Sequence, residues 1–194
     1  MNPTDELSKK KKQLLDIIKK ESVFTGEFTL SSGKKSNYYI DMRRTTLHPL
    51  GARLIGEIIF DMIKDMDIDC IGGPTMGADP IVSGVSIASS AVSEKQTASS
   101  IGKYLPGFYV RKEAKSHGTM KMIEGIFERG NRVIIVEDVV TTGASTLKTI
   151  KAVEAEGGKV VKVMALVDRE EGGKESIQKE GYEFESIFRK SEIL

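Results

Sequence analysis

The chain has 194 residues, 39% of them apolar, with a formal net charge of +1 and a single cysteine. That is enough for one domain with a substantial core, and too apolar for a disordered chain. The near-neutral charge argues against a broad nucleic-acid surface, and Cys70 has no partner for an internal disulfide or a zinc cluster, which favours a reducing compartment.

The opening MNPTDELSKKKK lacks the apolar stretch of a secretory signal, and no apolar run approaches the ~20 residues of a membrane helix. The expected location is cytoplasmic, with no membrane and no nucleic-acid partner. Residues 6–20 place Leu7, Leu14, Leu15 and Ile18 on one face and predict an amphipathic helix, with Lys9–Lys12 as its solvated part. Segment 26–44, GEFTLSSGKKSNYYIDMRR, holds two short strand-like pieces around a Ser-Ser-Gly turn. Pro49 opens a helix whose buried stripe is Leu50, Leu54, Ile55, Ile58, Ile59, Met62 and Ile63. From there strands and helices alternate. Strands are expected at 68–71, 108–110, 132–138, 159–168 and 182–188. Helices are expected at 79–92, at 144–156 (Leu147, Ile150 and Val153 inward, stopped by Gly157-Gly158), and briefly at 175–181. This order predicts an α/β chain: a central, mostly parallel sheet flanked by helices on both faces. It reads as a single domain over 1–194, with 1–45 outside the alternation as a small cap.

In open parallel sheets, ligands bind at the C-terminal ends of the strands. RVIIVEDVVTTGAST (132–146) ends a strand there. Val133, Ile134, Ile135 and Val136 read as buried; Glu137 and Asp138 follow directly, two negative charges against the core. The Thr/Gly/Ser turn then leads into a helix N-terminus, whose free N–H groups suit a phosphate. The acids cannot bind that phosphate themselves, since like charges repel, but they can accept hydrogen bonds from neutral hydroxyls beside it. Ribose hydroxyls next to a 5′-phosphate meet both needs. A helix cap explains one acid, not two. The chain has neither a G-x-x-x-x-G-K-[ST] loop nor a G-x-G-x-x-G after a strand.

Three further segments are less specific. In YVRKEAKSHGTMKMIEG (109–125), Arg111, Lys112, Lys115 and His117 fall within seven residues. They read as a mobile basic loop that closes over an anion, or as a solvated charged loop. GGPTMGADP (72–80) reads as an anion nest or a plain tight turn. Arg169 in VDREEGG follows a buried strand, where it suits bidentate carboxylate recognition or is simply a surface arginine.

Together these residues resemble the type I phosphoribosyltransferases. VIIVEDVVTTGAST is similar to that family's PRPP-binding motif, and RKEAKSHGTMKMIEG to the catalytic loop of its orotate-using members. GEFTLSSGKKSNYYID resembles their N-terminal hood, and GGPTMGADP their pyrophosphate-side loop. The resemblance runs over nearly the whole chain. It implies the type I fold with residues 1–45 contributing the hood, and a reaction: orotate and PRPP give orotidine 5′-monophosphate and pyrophosphate, with Mg²⁺, in pyrimidine biosynthesis. It implies that Glu137 and Asp138 hold the ribose hydroxyls. PRPP contacts would extend over Val139, Val140, Thr141, Thr142, Gly143, Ala144 and Ser145, with Thr141 to Thr146 at the 5′-phosphate. Arg111 and Lys112 would contact PRPP within the subunit. Lys115 and His117 would reach the partner's site on loop 111–125 of a homodimer. Thr141 and Arg169 would meet orotate, Arg169 at its carboxylate, with Lys34, Lys35, Tyr38 and Tyr39 beside the base. The catalytic set would be Lys115, His117 and Asp138, with no direct protein ligand to the metal.

The chain departs from the pattern where some members carry a lysine after FTL and another in the pyrophosphate-side loop. Here those places hold Ser31 and the Met76-Gly77 region, so the grip on PRPP would shift toward residues 111–117. Two other readings compete: a purine phosphoribosyltransferase, which Arg169 and the basic loop argue against, and a PRPP-sensing DNA-binding regulator, for which a helix-turn-helix and a basic face are missing.

Overall fold

In the computed structural model, which describes residues 3–29, 35–93, 104–113 and 122–194, the chain opens with helix α1 (Pro3–Ile17) and a π-helical turn (Ile18–Ser22). Leu14 and Ile18 of this amphipathic segment are fully buried. Strands β1 (Val23–Thr29) and β2 (Lys35–Ile40) pair antiparallel in a two-stranded sheet of their own, the hood. The Ser-Ser-Gly turn expected between them lies outside the described residues, as does Lys34. After the short α2 (Arg43–Thr46) comes α3 (Pro49–Ile63). Its proline stands in the first turn, and His48 caps it by accepting the Gly51 N–H on Nδ1 at 3.2 Å. Leu54, Ile55, Ile58, Ile59 and Ile63 of the expected stripe are buried.

Strand β3 spans Cys70–Pro74, two residues later than expected, and all five residues are buried. Gly72 and Gly73, read from the sequence as loop, belong to it. A Cβ on Gly72 would lie 2.4 Å from the Phe108 ring, so the missing side chain makes room for an aromatic on the neighbouring strand. Helix α4 (Asp79–Ser93) follows. Its small residues let it press against α3: a Cβ on Gly56 would stand 2.3 Å from the Gly84 carbonyl oxygen. Then come β4 (Gly107–Val110), β5 (Ile123–Gly125), β6 (Arg132–Val140), α5 (Ala144–Ala155), β7 (Lys159–Asp168), α6 (Gly173–Lys179), β8 (Phe184–Arg189) and α7 (Lys190–Ile193). β5, a three-residue strand tied antiparallel to β4, has no counterpart among the expected strands.

The main sheet has the order β5-β4-β3-β6-β7-β8, parallel except for β5. Alternate residues of β6 enter two cores. Ile134 and Val136 join Leu14, Ile58, Ile81 and Val85 under α1, α3 and α4. Val133 and Ile135 join Ile150, Val153 and Ile177 under α5 and α6. The chain leaves β3 for β4 on one side and returns to β6 on the other. The crevice between the carboxyl ends of β3 and β6 is therefore the switch point at which such sheets bind ligands.

Candidate active site

Both acids of the doublet lie at that crevice, in different surroundings. Adjacent strand positions leave by opposite faces. Glu137 continues the row of Val133 and Ile135 and is only 7% exposed. Its carboxyl is a hydrogen-bond neighbour of Ser145 in the first turn of α5. Asp138 continues the row of Ile134 and Val136 and rests against Gly77 of the β3–α4 loop. Its Oδ1 accepts the Val139 N–H at 2.8 Å. Burial first, and the neighbouring Asp138 carboxyl second, push the Glu137 carboxyl up to about 9. The two acids expected as like charges are thus unequal: the strand carries Glu137 under the helix and out of water, which favours its protonated form. A protonated carboxyl still offers an acceptor and a donor to a sugar hydroxyl.

The turn after the doublet has backbone geometry suited to an anion. Gly143 adopts φ +80°, the left-handed backbone that glycine takes at no steric cost, and so swings the chain into α5. The first backbone bond of the helix runs from the Leu147 N–H to the Gly143 carbonyl. The N–H groups just before it have no acceptor within the helix and carry the positive end of its dipole. Thr142, Ala144 and Ser145 are exposed, Thr141 half-buried, and Gly143 and Thr146 buried.

A cavity of about 860 Å³ separates this turn from the hood. Lys35, Ser36, Asn37 and Tyr38 line it from β2 and Glu27 from β1; Thr142, Arg169, Glu171 and Lys190 line it from the sheet edge. Arg169 is tied to β6 by its N–H on the Val140 carbonyl at 2.9 Å. Glu171 takes one nitrogen of its guanidinium at 3.1 Å, while its buried Nε has no hydrogen-bond partner among the described residues. A planar fork with an unmet donor beside a cavity suits a carboxylate. Thr141 and Tyr39, both expected near the base, do not line this cavity. Tyr39 leaves β2 on the face opposite Tyr38, its ring 5.7 Å from that of Phe28.

The basic loop leaves the sheet at the carboxyl end of β4, the same edge as β6, as expected. Its stem is closed by the Arg111 N–H on the Met122 carbonyl at 2.9 Å. Arg111 faces Glu124 at 3.8 Å, and the Lys112 carbonyl accepts from Lys148 of α5 at 3.1 Å. Lys115 and His117 lie outside the described residues. Glu27, Asn37, Glu171 and Lys190 escaped the sequence reading; only Glu171, two positions from Arg169, had a local signal in the charge pattern of VDREEGG. Among the described residues, no group of three or more His, Cys, Asp and Glu side chains could cage a metal.

The family profile described as "Phosphoribosyl transferase domain" matches residues 45–188. The orotate phosphoribosyltransferase of Aquifex aeolicus is 43% identical over 187 residues, covering 95% of this chain and 97% of that protein. The crystal structure of the Mycobacterium tuberculosis H37Rv orotate phosphoribosyltransferase with Fe(III) dicitrate superposes with a TM-score of 0.82 at 38% identity, covering 95% of this chain and 98% of that one. The same enzyme in complex with PRPP gives a TM-score of 0.78 at 34% identity, with coverage of 95% and 98%.

Proposed function

From a chain that belongs to the phosphoribosyltransferase family, in its orotate branch, we propose how the cleft carries out the family's reaction. The chain transfers the 5-phosphoribosyl group of PRPP to orotate, giving orotidine 5′-monophosphate and pyrophosphate in pyrimidine biosynthesis. One observation carries the reading: Thr142 of the β6–α5 turn, Arg169 of the sheet edge, and Lys35 and Tyr38 of the hood line one cavity.

The ribose hydroxyls meet Glu137 and Asp138. The 5′-phosphate sits on the turn from Thr141 to Thr146. Arg169, which lines the cavity, takes the orotate carboxylate with its guanidinium, and Lys35 and Tyr38 lie over the base. Displacement at the anomeric carbon builds positive charge on the ribose and negative charge on the departing diphosphate. Asp138 faces the first; Arg111, Lys112 and Lys115 face the second, and His117 supplies it with a proton or a hydrogen bond. Mg²⁺, when bound through the diphosphate and its waters, neutralises part of the leaving-group charge. No covalent nucleophile is needed, and the buried Cys70, its thiol pushed up to about 12 by burial, is no candidate for one.

The chain acts as one domain and as a homodimer, with loop 111–125 reaching the partner's cleft. Exposed Leu47 and Ile87, which line a groove between α1, α3 and α4, support a buried face there. No helix among the described residues is long and apolar enough to cross a membrane, and we place the enzyme in the cytoplasm. Loss of orotate absorbance with PRPP and Mg²⁺ tests the reaction; turnover of adenine or xanthine instead of orotate would overturn it. Mixing the slowed Lys115→Ala and Asp138→Ala subunits tests the shared loop. Hybrid dimers regain activity at one of their two sites if the loop crosses, and none if each loop serves its own subunit.

A further inference from the structure

Gly77, in the β3–α4 loop, touches the acidic doublet. It does not adopt the left-handed backbone that glycine alone takes freely, so its conformation would admit alanine. What it provides is space. A Cβ there would lie 2.6 Å from Asp138 Oδ1, 2.7 Å from Cγ and 3.0 Å from Oδ2, and these are its three nearest heavy atoms. Gly73, four residues earlier, differs: a Cβ there would press on the Val136 carbonyl oxygen at 2.2 Å, which is backbone. At Gly77 the three nearest atoms all belong to one carboxyl group at the end of a rotatable side chain. The same Oδ1 accepts the Val139 N–H at 2.8 Å.

We infer that Gly77 is a positioning residue for the transfer: its missing side chain leaves room for the Asp138 carboxylate against the β3–α4 loop while Oδ1 accepts the Val139 N–H. The contact fixes the acid's direction and couples it to that loop. The inference rests on Asp138 holding the ribose. A methyl at Gly77 moves the side-chain torsions of Asp138 and leaves the sheet where it is. Displacing a group that must meet the sugar by about 1 Å costs on the order of a hundredfold in rate.

The test is a set of four proteins: the natural chain, Gly77→Ala, Asp138→Ala and the double variant, with kcat, both KM values and Tm measured for each. Gly77→Ala lowers kcat roughly tenfold to a hundredfold, with orotate KM and Tm little changed. In the Asp138→Ala background the new methyl has nothing to meet, so the second substitution costs nothing further. Losses that multiply, or a Gly77→Ala enzyme with natural kcat, overturn the inference alone. An Asp138→Ala enzyme with natural kcat overturns the reading of Asp138, and the inference with it. Should Gly77→Ala be unstable, Asp138→Ala restores its Tm if the contact is the one described; failure to restore it counts against Gly77 acting through Asp138.

Discussion

The two walls of the cleft are built in opposite ways. The β6–α5 wall rises from a central strand hydrogen-bonded on both sides, with Val133 to Val136 buried and a core above and below. The hood wall is a separate two-stranded sheet, with β2 alternating exposed and half-buried positions. Two-stranded sheets are marginal by themselves, whereas a central strand cannot move without the cores on both its faces. The difference teaches where the reaction puts its demands. In the proposed mechanism the charge that develops at the sugar would be met from the more rigid wall, and the flat base covered from the hood.

Substitutions should divide along the same line. The largest effect is expected from the loop that would bridge both walls: Lys115→Ala lowers kcat by about a hundredfold or more while substrate binding weakens far less, because the amine acts on charge that forms late. Steady-state kinetics decide this, and an unchanged kcat removes Lys115 from the mechanism. Next is Arg169→Ala, which removes a charge-assisted pair and raises the orotate KM about 10- to 100-fold while the PRPP KM stays within about twofold. Equal rises in both constants would mean that the sheet edge does not separate the two substrates.

The third effect is on stability. The folded state raises the Glu137 carboxyl from 4.5 to about 9. Between those values the native chain holds a proton that the unfolded chain has lost, so stability falls as pH rises from near 5 to near 9 and levels off above. Glu137→Gln lacks this slope. The Tm of the natural chain should therefore decline relative to the variant across that window, at roughly 2–4 °C for each 1 kcal/mol. Parallel Tm curves for the two proteins would mean that Glu137 is ionised in the fold. The smallest effect belongs to the hood: Tyr38→Phe raises the orotate KM about two- to tenfold, the worth of one neutral hydrogen bond. Tyr39→Phe, on the other face of β2, leaves it unchanged. A reversed order of the two tyrosines would mean that the hood turns its opposite face to the base.

How much of this was legible in the chain depended on distance in sequence. Strand 159–168 has the expected ends, and α4 and α5 differ from expectation by one residue, because their periodic runs are long and bounded by turn residues. The doublet, the turn after it and Arg169 could be read because each is a short contiguous pattern at a strand's carboxyl end. β3 starts later than its pattern suggests and takes in Gly72 and Gly73, because the reasons for these glycines are distant: the Phe108 ring, thirty-six positions from Gly72, and the Val136 carbonyl, sixty-three from Gly73. β5 carried no signal, since three edge residues are too few to show a period.

The sequence by itself determined the alternation of strands and helices, and with it the sheet edge where Glu137, Asp138, Thr141 to Thr146 and Arg169 gather. Local periodicity and turn chemistry are written residue by residue. Only the tertiary structure decided that Glu137 is buried and its carboxyl raised, that Tyr38 rather than Tyr39 faces the cavity, and that Gly77 leaves room for Asp138. Burial, facing and contact are properties of what packs against a residue, and those neighbours come from elements that the chain brings together only on folding.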